Sequence, residues 1–176
     1  MGQVVPFPLV RITCPERTTS LDTAECAFLI AVRWWVSGFR SDEDPVPRIC
    51  EGLKIAGARD AAFSLNAVMA IVADAARRPI AIHDPRCGGL STDEQYLLFV
   101  ASVAQSGERG LARRAFRDIQ ISEPGAELAL APLEELGTFF AEAGLLFTRR
   151  RVPSHETQSA GAIEVWTPSP PARTIH

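Results

Sequence analysis

The residue types best able to do chemistry gather at the middle of this chain, where His83, Asp84 and Cys87 lie within five residues. Gly88 and Gly89 follow and let the backbone turn freely, and Ser91-Thr92-Asp93-Glu94 then reads as a helix start. Imidazole and thiolate are zinc ligands, so His83 and Cys87 are the candidate metal residues, with Asp84, Cys14 or His155 to complete a site. Zinc needs three or four protein ligands, and His-x-x-x-Cys supplies only two. The competing reading makes His83 a loop residue and Cys87 a small apolar side chain under the turn. A nucleophilic Cys87, activated by His83 and a helix N-terminus, lacks an oxyanion cradle, and no Walker lysine follows the glycines. No catalytic or cofactor-binding residue is assigned on this basis, and zinc is kept as an alternative to no cofactor.

A second concentration is cationic. Arg109, Arg113, Arg114 and Arg117 fall on one face of a helical pattern whose other face carries Leu111, Ala112, Ala115, Phe116 and Ile119. Such a stripe could contact the phosphates of nucleic acid, although the formal net charge of -3 gives no overall attraction to a polyanion. The plainer reading is a solvated face paired with Glu108, Asp118 or the acidic turn Asp42-Glu43-Asp44. The aromatic residues Trp34 and Trp35, and the apolar cluster Ile163 to Trp166, are the third feature. Trp34, Trp166 and the arginine face together suit contact with a partner. The leading expectation, reached mostly by elimination, is an adaptor or regulatory module acting by protein–protein contact. A DNA-binding regulator and a metal-binding protein are the alternatives, and homo-oligomerisation is compatible with all three.

The elements that must position these residues are helical. Asp22 and Glu25 form a capping box ahead of apolar positions Phe28, Val32, Trp35, Val36 and Phe39, with Gly38 as a stop. Asp44-Pro45 opens a short helix to about Ala56, and Leu65, Val68, Met69, Val72 and Ala76 set out a third that ends at Arg77-Arg78. Ile80-Ala81-Ile82 alternates as a short extended run. Ser91 and Glu94 form a second capping box before a run, Tyr96 to Ala104, that is apolar on nearly every side and so deeply buried. The arginine-striped helix follows; Pro124-Gly125 reads as a break, and Pro132 as the first residue of a final helix.

The expected fold class is therefore an all-α bundle of about six helices. It divides into an arm (1–20), one helical domain (21–148) and a mostly disordered tail (149–176). An ungapped match of Leu21–Arg40 with Leu90–Arg109, including Glu25/Glu94 and Gly38/Gly107, suggests a tandem pair of three-helix units, 21–82 and 90–148. Trp34 is then placed at the contact between the units, and the central stretch reads as a hinge.

Hydrophobic residues at 47% and charged residues at 22% exclude global disorder. No apolar run approaches the roughly 18 residues of a membrane span. Four scattered cysteines and no evident leader point to free thiols in the cytoplasm. Arginine-rich, alanine-rich usage with a single lysine, Lys54, suits a GC-rich bacterial genome.

Overall fold

The computed structural model describes residues 16–149 and 165–166, and among these the chain is an all-α bundle of six helices. The helices are α1 (Thr23–Arg40), α2 (Val46–Ile55), α3 (Ala61–Ala75), α4 (Thr92–Gln105), α5 (Arg109–Asp118) and α6 (Glu123–Glu142). Both capping boxes form as the sequence implies: Asp22 Oδ1 accepts from the Glu25 amide at 2.8 Å, and Ser91 Oγ from the Glu94 amide at 3.0 Å. In each, the glutamate carboxylate reaches back to the cap amide, so the first free donors of α1 and α4 are satisfied reciprocally. Every residue from Tyr96 to Ala104 is buried, as expected of an α4 apolar all round.

The centre of the bundle is the antiparallel pair α3 and α6, with α1 and α2 packed on α3, α4 and α5 packed on α6, and α1 touching α4. Near one end of the pair Ser64 Oγ donates to Glu135 Oε2 at 2.7 Å. At the other end Ala76 bridges Ile121, and the Ser122 amide donates to Ala75 O at 3.0 Å. There the backbones approach so closely that a Cβ at Gly125 would overlap the Cβ of Ala75. The segment after α6 is clipped to the bundle by Gln105, which donates to Leu145 O at 3.0 Å and accepts from the Phe147 amide at 2.9 Å. Phe147 stacks on Phe140, and Thr148 donates through its amide and its hydroxyl to Asp22 Oδ2. Asp22 thus caps α1 with one oxygen and holds the chain beyond α6 with the other.

Several local expectations are corrected. Pro124-Gly125 does not interrupt and Pro132 does not initiate: α6 starts behind the Ser122 cap and runs through Pro132 for 20 residues. Pro124 sits in the first turn, where its missing N–H costs nothing. Gly38 lies inside α1 and is small because a Cβ there would come within 3.0 Å of Pro45 Cβ. The left-handed residue after that helix is Asp42, at φ 55°. α3 stops at Ala75, short of Arg77-Arg78, since the backbone leaves the helix to bridge Ile121. Trp34 lies against α2, its ring over Gly52.

Among the described residues the extended pieces are two-residue strands. β1 (Glu16–Arg17) pairs antiparallel with β3 (Gly89–Leu90), and β2 (Ile80–Ala81) pairs with β4 (Val165–Trp166). The backbone at Trp166, expected to wait for a partner, is thus paired within the chain. The rest of the arm and tail, including Cys14 and His155, lies outside the described residues.

Candidate functional site

The first turn of α4 organises the central stretch. Glu94, fully buried, closes the capping box by accepting from the Ser91 amide at 2.9 Å. The same carboxylate takes a forked pair of bonds from Arg33 on α1, Nε to Oε1 at 2.7 Å and Nη2 to Oε2 at 3.0 Å. Arg33 is 2% exposed, and its remaining donors reach the carbonyls of Cys87 and Gly89, each at 2.6 Å. Planar guanidinium geometry makes this set of bonds available to arginine alone. His83 completes the cluster, its amide donating to Glu94 Oε1 at 3.1 Å and its Nδ1 lying 3.2 Å from Glu94 Oε2 and from Gly89 O.

Next to it Asp93 accepts a fork from Arg78 and the amide of Ala81, which ties β2 to the same helix start. Both carboxylates also sit at the positive end of the α4 dipole. The stretch read from sequence as a hinge is therefore fastened from two sides. Arg33 was missed although its position signals it: it falls four residues after Leu29 and three before Val36, both buried, on the apolar face of α1.

The hydrogen bond to Glu94 raises the His83 pKa against the opposing effect of burial. Burial pushes the Glu94 carboxyl up, but the bonds from His83, Arg33 and the Ser91 amide outweigh it and hold it below the usual range. The consequence for stability has a definite sign. A histidine whose folded pKa exceeds its unfolded value of about 6.5 contributes fully below that pH, and the contribution disappears as pH rises through the folded value. Urea midpoints should accordingly fall on raising the pH from about 6 through the folded pKa in the native chain, with a shallower fall in His83→Gln. Identical slopes would remove His83 from the cluster's energetics.

The other chemical readings gain little from the geometry. The Cys87 thiol is half-exposed and makes no hydrogen bond among the described residues, so no base is seen to activate it. No three His, Cys, Asp or Glu side chains converge to hold a metal among the described residues. The arginine face is engaged, though with α6 and not with the partners expected. Arg109 pairs with Glu127 and Glu134 at 3.1 and 3.0 Å, Arg117 with Glu123 at 3.2 Å, and Arg113 more loosely with Glu123 and Glu127. Arg114 is exposed. A duplex that displaced these carboxylates would have to overcome them, so a nonspecific DNA gel shift at low salt is expected to be negative. A shift abolished by Arg109→Ala with Arg113→Ala would restore the nucleic-acid reading.

The described surface also carries a groove. Between α1 and α2 runs an open groove of about 570 Å³ lined by Trp34, Arg48, Glu51, Gly52, Lys54 and Ile55. Gly52 lets the half-exposed Trp34 indole lie directly on α2, since a Cβ there would overlap the ring. The Arg48 guanidinium stands over that indole, 5.0 Å from its centroid, and Ile55 is 91% exposed at the edge. Trp34 was a candidate from sequence; Arg48 and Ile55 were not, because the alternating composition of α2 shows no stripe until α1 is laid beside it. No family model matches the sequence, and no curated protein or solved structure is similar to it.

Proposed function

We propose that the chain is a non-catalytic contact module that binds a partner protein through the groove between α1 and α2. The observation that carries this reading is the surface made by half-buried Trp34 with exposed Arg48 and Ile55. It joins tryptophan and arginine, the residue types that dominate binding energy at interfaces, to a large apolar side chain left in water. The polar cluster around Glu94 supports it indirectly, because its groups are spent on holding β2, β3 and α4 together. The bacterial cytoplasm is the proposed setting, on composition, and no helix of the described residues is long and apolar enough to cross a membrane. An ancestral three-helix unit present twice would account for the matching capping boxes and for the recurring order of a capped helix, a ten-residue helix and a longer one.

The test is affinity capture on the native chain, Trp34→Ala and Ile55→Asp, the last being an exposed change that leaves the core intact. A protein retained by the native chain and lost from both variants is the expected result. Retention that both variants preserve would move the contact surface elsewhere, and no retained protein on any of them would defeat the reading.

A further inference from the structure

Resting on that contact reading, we propose that the groove receives an acidic, apolar segment of the partner, whose side-chain carboxylate is taken by Arg48 while its apolar residues cover Trp34 and Ile55. The argument begins with where the positive charge of the described surface is spent. Arg109, Arg113 and Arg117 face the carboxylates of α6, Arg149 faces Glu108, and Arg33 and Arg78 are consumed by Glu94 and Asp93. Arg48, like Arg59, Arg77 and Arg114, makes no ion pair among the described residues, and of these four it is the one that stands over an aromatic ring, in the groove.

A guanidinium held over an indole by cation–π attraction still has N–H donors to offer a carboxylate, and the contact limits the rotamers it must give up when one arrives. The second cation of the groove, Lys54, meets only Glu51, at 3.8 Å with both side chains more than half exposed, which is a contact worth little and easily exchanged. The rim therefore offers two positive groups against one negative, beside an apolar floor. That floor argues for a peptide over a polyanion such as nucleic acid, and the open shape of the trough suits a segment of chain better than an enclosed small molecule.

Fluorescence polarisation with the full chain tests this. The probe is a short fluorescein-labelled peptide with a central Leu-Phe pair flanked by glutamates, compared with the same peptide carrying lysines in their place and with one carrying serines for Leu-Phe. The glutamate peptide is expected to bind at least about tenfold more tightly than either control, with affinity falling as salt rises. Arg48→Gln, an exposed change whose fold is checked by circular dichroism, should weaken it about fivefold or more, and Arg48→Lys should restore part of the loss. Equal binding of the glutamate and lysine peptides, or binding indifferent to Arg48→Gln, overturns the acidic partner and leaves the groove as a contact surface. Failure of every peptide to bind also overturns it, and the Ile55→Asp capture then decides the broader reading on its own.

Discussion

Replacing Arg33 with alanine should destabilise the protein by about 3–5 kcal/mol, the cost of leaving a buried carboxylate without its counter-ion. Glu94 is fully buried and would keep His83 and the two backbone amides, while the carbonyl of Cys87 would lose its arginine donor and that of Gly89 would be left with His83 Nδ1. For a helical domain of this size the melting temperature should drop by on the order of 10 °C or more, read by calorimetry or circular dichroism. The double variant Arg33→Met with Glu94→Gln removes both charges, keeps the capping geometry and should be markedly more stable than the sum of its parts. A loss below about 1 kcal/mol for Arg33→Ala, or strict additivity in the double variant, would show that the pair is solvated in solution.

The second large effect is expected at Gly125→Ala. In an ordinary helical position alanine is favoured over glycine by up to about 1 kcal/mol, so the usual sign is stabilising. Here the added Cβ would fall on the Cβ of Ala75, an atom that cannot swing away, and Ile121 Cγ2 stands 3.3 Å away. α3 and α6 must separate where Ala76 and Ile121 bridge, at a cost of about 1–3 kcal/mol. The sign is thus reversed, and Ala75→Gly in the same chain should recover most of the loss. A Gly125→Ala variant as stable as the native protein in urea would refute the close approach.

Much of this architecture could be read in the residues, for a reason visible at α1 and α4. Asp22 with Glu25, and Ser91 with Glu94, are local signals whose meaning depends on four consecutive residues, so no knowledge of the rest of the chain is needed. The errors come where a distant partner decides. Pro132 has the appearance of a helix start, yet the flanking turns of α6 are packed on α3 and α4, and that packing outweighs the one hydrogen bond a mid-helix proline removes. The same applies at the candidate sites. His83 and Cys87 drew attention by type, and their geometry gives His83 to Glu94 and leaves the Cys87 thiol without a hydrogen bond among the described residues. Arg33 and Arg48 are unremarkable as letters, and each acquires its role from a group far along the chain or on the neighbouring helix.

The two oxygens of Asp22 give the fold a further property. Oδ1 terminates α1 and Oδ2 grips Thr148, and these bonds hold the carboxyl below its ordinary pKa although burial works the other way. Opening of the first turn of α1 and release of the chain after α6 are thereby made one event. In a hydrogen-exchange experiment the amides of Glu25 and Thr148, remote in sequence, should open at a common rate, and acid strong enough to protonate that single carboxylate should loosen both together.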